Sequence, residues 1–165
     1  MIQINKFSDY AIVILVHMSK IQDQSLFSAK ALSTQLHLPL PTVSKILKQL
    51  QKASILESIQ GPRGGYRLAK TSDEISVGQI LEIMEGPIAI TECALSEHQC
   101  SVTSWCEIKP HWRLVNQVVR EALERLKLSA LSQQIQRSDW KQSMDRVWSD
   151  LFEDKTDQSR KEDKA

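Results

Sequence analysis

The stretch SAKALSTQLHLPLPTVSKILKQLQKASILESIQGPRGGYRLA, residues 28–69, sets the architecture of this chain. It opens with a short helical segment that Ser28 can cap and that turns Ala29, Leu32 and Leu36 inward. After a tight turn, Pro41 suits the first helical position of the next segment, where a missing N–H costs nothing. In that second segment Val43, Ile46, Leu47 and Leu50 recur at helical spacing and belong to a core. Thr42, Lys45, Lys48, Gln49 and Lys52 fall mostly on the other side, a polar and cationic face without a carboxylate. Two short helices joined tightly, the second with such a face, predict a helix-turn-helix whose second helix enters a DNA major groove. Lysine-rich faces are also common on ordinary solvated helices, so the helices alone do not fix the function.

The remainder, ILESIQGPRGGYRLA at 55–69, offers two β-prone runs around GPRGG and predicts a hairpin. Gly64 and Gly65 are expected to supply positive φ, and Pro62 to stiffen the turn. Arg63 stands at the tip and Arg67 on the returning strand. A hairpin directly after a recognition helix is a wing, and its tip arginine can reach a phosphate or the minor groove. The expected fold is therefore mainly α: a winged helix-turn-helix with a small β-hairpin wing, plus a long dimerisation helix. Thr42, Ser44, Lys45 and Lys48 are the candidate DNA contacts in the major groove, with Arg63 and Arg67 on the wing.

Upstream, Ser8 can cap a helix with Asp9 in its positive first turn, and Tyr10 to Met18 is apolar nearly all round, as a core or subunit-interface helix would be. Downstream, Ser76 and Gln79 form a capping-box pattern opening a helix through Glu85, which Gly86-Pro87 stops. Pro110 opens a longer helix in which Trp112, Val115, Val119, Ala122 and Leu126 repeat at spacings of three and four. That is a heptad seam, and it predicts packing on a second copy, with packing on its own domain as the alternative. Residues 128–135 predict a short helix capped by Ser129, and Trp140, Met144, Val147, Trp148 and Leu151 predict an amphipathic one over 139–152. The domain organisation that follows is a DNA-binding region at 1–72, a loop and dimerisation helix at 73–138, the added helix at 139–152, and a disordered polar tail at 153–165.

Hydrophobic content of 41% and charged content of 25% suit a folded, soluble protein, and 165 residues can hold one globular domain, or one small domain plus an extension. No run approaches the roughly 20 apolar residues of a membrane span. The N-terminus lacks a signal-peptide pattern, so a cytoplasmic protein is expected. The overall net charge of +1 hides an asymmetry: residues 1–72 carry nine Lys/Arg against three Asp/Glu, a net +6, and the rest nets −5. A basic first half fits a nucleic-acid module joined to something else.

All three cysteines, Cys93, Cys100 and Cys106, lie within fourteen residues. An odd number excludes a closed set of disulfides, and in a reducing compartment such a trio suggests metal or redox chemistry. The gaps of six and five residues are wider than the C-x-x-C pairs of zinc sites, and thiolates are the preferred ligands of iron–sulfur clusters. An apo protein with redox-reactive thiols is the plainer alternative.

The order of elements, with KFSDYAIVILVHM at 6–18, QGPRGGYRLA at 60–69, ISVGQILEIMEG at 75–86 and the three-cysteine loop, resembles the family of winged-helix regulators that includes IscR and the nitric-oxide sensor NsrR. The resemblance covers roughly the first 135 residues and within the family looks closest to regulators of the SUF iron–sulfur assembly operon. It implies a homodimeric transcription factor on a double-stranded DNA operator, with a 2Fe–2S or 4Fe–4S cluster held by Cys93, Cys100, Cys106 and a fourth ligand. IscR-like proteins take that ligand from a histidine three residues after the last cysteine, where this chain has Lys109, which cannot serve. NsrR-like proteins use an acidic residue of the partner subunit near the start of the first helix, and Asp9 matches it. His98, Glu107 and His111 are nearby competitors. IscR-like wings also carry an arginine before the Gly-Pro, where this chain has Gln60, so Arg63 is left as the tip cation.

The resemblance implies repression of iron–sulfur assembly genes. The rival readings are a nitric-oxide- or redox-sensing repressor of the same fold, and an iron–sulfur carrier or electron-transfer protein that does not bind DNA. An enzyme is not expected, because the sequence holds no nucleophile–base arrangement, phosphate loop or paired-carboxylate motif.

Overall fold

The computed structural model describes residues 3–21, 25–61, 63–91 and 106–133. All of these but Gln133 belong to one compact unit, Met1–Ser132, whose elements run α1 (Lys6–Lys20), α2 (Ala29–Leu36), α3 (Leu40–Lys52), β1 (Leu56–Ile59), β2 (Gly65–Leu68), α4 (Val77–Glu85), α5 (Lys109–Arg125) and α6 (Leu128–Ser132). Cys93, Cys100, His98, Pro62, the expected helix at 139–152 and the polar tail lie outside the described residues.

The helix-turn-helix forms as its sequence dictates. The Ser28 hydroxyl accepts from the Ala31 N–H at 3.1 Å and caps α2. His37 ends that helix in the left-handed region at φ 53°, and the Ser33 hydroxyl closes the turn by donating to the Leu38 carbonyl at 2.6 Å. Pro39 then caps α3, with Pro41 in its first turn, one position further in than expected. Val43, Ile46, Leu47 and Leu50 are fully buried, and this stripe joins Leu32 of α2 to Ile14 and Leu15 of α1. The C-terminus of α3 completes both bonds of a Schellman motif, Ile55 N–H to Leu50 and Ser54 N–H to Gln51. The left-handed residue there is Ser54, at φ 57°, where glycine is usual.

The hairpin pairs β1 and β2 antiparallel, with Leu56 opposite Leu68 and Ile59 opposite Gly65. Phe27 bridges the outer edge of β2, exchanging two 2.9 Å backbone bonds with Tyr66, so the wing is anchored ahead of α2. Gly64 and Gly65 do not take positive φ; Gly61 does, at 124°. Their need for glycine is steric instead. A Cβ on Gly64 would stand 2.1 Å from the Ile59 carbonyl oxygen, and one on Gly65 2.8 Å from that of Phe27.

The remaining helices close the core from below. The Ser76 hydroxyl accepts from Gln79 N–H at 2.9 Å to cap α4, and donates to Glu124 of α5 at 2.6 Å. The chain leaving α5 zips against the start of α4, with Val77 N–H to Leu126 and Leu128 N–H to Ile75. Leu128 is fully buried and α6 packs on α1. That helix starts at Leu128, so Ser129 lies inside it rather than capping it. The α1 cap also differs from expectation: Asn5 accepts from Phe7 N–H, while Ser8 is buried two residues inside the helix.

Candidate nucleic-acid interface and cysteine loop

Lys45 and Lys48 are exposed on α3, and Thr42 and Ser44 are half-buried at its flanks. Gln49 leaves this face: its amide donates to the Ile83 carbonyl of α4 at 2.7 Å, clamping α3 to α4. Lys45 turns toward α1, where its ammonium stands 4.9 Å from the centre of the Phe7 ring. On the wing, Arg63 is exposed at the turn. Arg67 is half-buried and donates to Glu57, its cross-strand partner, at 2.5 Å. Glu57 is the only carboxylate from Ser25 to Ser72, and this pair neutralises it. The surface formed by α3 and the wing therefore presents cations with no free anion, as a groove-binding surface requires.

The segment entering the cysteine stretch is held on α5, and the stretch leads directly into α5 at its exit. On the entry side, Asn116 of α5, a buried residue, accepts from Ile90 N–H at 3.0 Å and donates to the Ile88 carbonyl at 3.3 Å. On the exit side, Cys106 is a half-buried free thiol three residues before α5 begins. Sequence patterns did not single out Asn116; the available signal was one amide inside an apolar helix stripe, a place where an unpaired polar group would be costly.

A second tie joins α4 to the start of α1. The Glu85 carboxylate, one residue before the Gly86-Pro87 stop, accepts from the Asn5 backbone N–H at 3.0 Å and from the buried Ser8 hydroxyl. Asp9 follows Ser8 and is exposed, and among the described residues its carboxylate has no hydrogen-bond or salt-bridge partner. Glu107 and His111 are exposed near Cys106, and Lys109 is the first residue of α5. Among the described residues no group of three or more His, Cys, Asp or Glu converges, and two of the three cysteines lie outside them.

Helix α5 leaves an apolar stripe open to solvent. Ile108, Trp112, Val115 and Leu126 are 55, 37, 43 and 38% exposed, while Val119 and Ala122 between them are half-buried. The heptad seam of the sequence is thus not consumed by the unit's own core. Among the described residues no helix is long and apolar enough to cross a membrane.

The chain is similar to known regulators over most of its length. The NsrR transcriptional regulator of Halalkalibacterium halodurans is 30% identical over 121 residues, covering 73% of this chain and 79% of that protein. The structure of CymR, the global cysteine regulator of B. subtilis, superposes with a TM-score of 0.64 at 25% identity, covering 80% of this chain and 97% of the other. The IscR of T. potens shares the fold, with a TM-score of 0.60 at 23% identity over 84% of this chain and 96% of its own. Residues 4–134 match the Rrf2 family, described as iron-dependent transcriptional regulators. With a family match over residues 4–134 and a winged helix-turn-helix fold shared with these regulators, the chain belongs to the Rrf2 family and is a DNA-binding transcriptional regulator.

Proposed function

We propose that this regulator works in the cytoplasm as a homodimer on a pseudo-palindromic operator and adjusts its DNA binding to the state of an iron–sulfur cluster. The observation that carries the proposal is the pairing, in one compact unit, of the α3 and wing surface with a cysteine stretch whose entry Asn116 of α5 holds. Each protomer contributes one α3 to the major groove and one wing beside it. Thr42, Ser44 and Lys48 face the groove, and Arg63 reaches the backbone or minor groove. Arg67 stiffens the wing through Glu57 and becomes a DNA contact only by exchanging that carboxylate for a phosphate. The second copy packs on the open stripe of α5.

The donor set suits a 2Fe–2S or 4Fe–4S cluster: Cys93, Cys100 and Cys106 as thiolates, with Asp9 of the second protomer as an oxygen ligand. The free thiol of Cys106 and the exposed carboxylate of Asp9, unpaired among the described residues, support this assignment. When bound, the cluster supplies a redox-active iron centre. The chain's own residues do the rest. Asn116 holds the loop entry on α5, and Glu85 and Gln49 hold the end of α4 on α1 and α3. A shift of the loop is thereby passed to the recognition helix, the differential contact that coupling between two sites needs. Genes of SUF iron–sulfur assembly are the proposed targets. A nitric-oxide or redox input to the same loop is the second reading, and the likeness to NsrR favours it.

The test is anaerobic purification followed by a visible spectrum and an iron and sulfide count, on wild type, each Cys→Ser variant and Asp9→Ala. Brown protein with acid-labile sulfide, bleached by each cysteine change and altered by Asp9→Ala, supports the assignment. A wild type that stays colourless after reconstitution refutes it.

A further inference from the structure

We infer that Phe7 is a positioning residue that turns Lys45 away from the base edges and holds it as a clamp on the DNA backbone beside the recognition helix; this rests on the winged-helix reading above. Lys45 and Gln49 are neighbours one turn apart on α3, and Gln49 bonds Ile83 of α4. Gln49 therefore borders α4 and Lys45, though exposed, turns to α1, whereas Lys48 is exposed and among the described residues makes no such contact. A lysine on a flexible four-carbon stem would ordinarily sample many rotamers. Here the ammonium stands over the Phe7 ring at 4.9 Å, within the range in which a ring face attracts a cation.

The ring is itself fixed. It packs against the buried core, and its backbone N–H is bonded to the Asn5 side chain at 3.0 Å. Among the described residues no carboxylate lies within salt-bridge distance of Lys45, so the aromatic face is what holds the charge. An ammonium has three N–H donors, and a ring beneath it leaves donors on the outer side for phosphate oxygens. Contacts of that kind place a protein on the duplex without reading its sequence. Lys45 thus contributes affinity and salt dependence, and base selection falls to Thr42, Ser44 and Lys48 of the same helix.

The test measures dissociation constants across a salt series for wild type, Phe7→Leu, Lys45→Gln, the double variant and Phe7→Tyr. Two probes are used: an operator duplex recovered from genomic fragments, and a random-sequence duplex. Lys45→Gln should weaken both by a similar factor and make the log–log salt slope shallower by about 0.9. Phe7→Leu should weaken binding about two- to fivefold when Lys45 is present and not at all beside Lys45→Gln. Phe7→Tyr, which keeps the ring, should bind as wild type. An equal loss from Phe7→Leu in both backgrounds would show a merely structural role and overturn the inference. So would a Lys45→Gln loss confined to the operator probe, and that outcome can be read even if Phe7→Leu folds poorly. Wild type that binds neither duplex would overturn the DNA-binding reading, and this inference with it.

Discussion

Gly65→Ala should damage the wing far more than its single methyl group suggests. The added Cβ would stand 2.8, 2.9 and 3.1 Å from the O, C and N atoms of Phe27, all of them backbone. Ordinary carbon contacts need about 3.5 Å or more, so the strand and the Phe27 segment must part by roughly half an ångström. Both Phe27–Tyr66 bonds, each 2.9 Å, span that gap and would lengthen with it. Overpacking of this kind costs about 1–3 kcal/mol, and two weakened backbone bonds add some part of about 0.5–1.5 kcal/mol each. The expected loss is about 2–4 kcal/mol, which for a chain of this length lowers Tm by roughly 5–15 °C. Urea unfolding followed by circular dichroism measures it, with the m-value expected to be unchanged. Operator affinity should fall as well, because Arg63 moves with the wing. A Gly65→Ala protein within about 0.5 kcal/mol of wild type would refute the close-approach argument.

Four further outcomes are expected. Glu57→Gln removes the carboxylate that pairs with Arg67, so it should tighten binding to random-sequence DNA and steepen the salt slope by up to about 0.9, read by anisotropy titration. Ser54→Gly relieves a left-handed residue in the Schellman turn after α3 and should raise stability by about 0.5–1 kcal/mol in urea unfolding. Glu85→Ala strips the Asn5 N–H and the buried Ser8 hydroxyl of their acceptor and should cost about 1–3 kcal/mol in the same assay. Bonds from the Thr71 hydroxyl and then its backbone N–H hold the Glu74 carboxyl below the usual carboxylate range. A depressed folded pKa gives stability that is present above the unfolded pKa and lost as pH falls through the folded one. Glu74→Gln should therefore flatten the acid limb of the stability–pH curve below about pH 5 and leave the neutral region's slope unchanged.

What the sequence reveals here is what local pattern can carry. The stripe of Val43, Ile46, Leu47 and Leu50 is legible because burial on one helix face leaves a 3.6-residue period, and all four are sealed in the core. Ser28 and Ser76 cap their helices as read, because each cap and its amide are three residues apart. Partners far apart in sequence leave no such trace. Ser8 reads as a cap but is drawn inside α1 by Glu85, 77 residues away, and Asn5 takes over the capping. Gln49 reads as part of the polar face but bonds α4, and Asn116, which no sequence pattern marks, pins the loop entry. The GPRGG turn shows the same limit. The glycines correctly mark a hairpin, yet Gly65 is required by Phe27, a residue that no local pattern connects to it.

The most direct single measurement is operator affinity of the anaerobically purified protein before and after its iron is removed by a chelator. Coupling of about 1–3 kcal/mol between loop and recognition helix predicts affinities that differ by about 5- to 150-fold, with tighter binding while iron is bound, as repression of cluster-assembly genes requires. Equal affinities with and without iron would contradict the link between the cysteine loop and DNA binding.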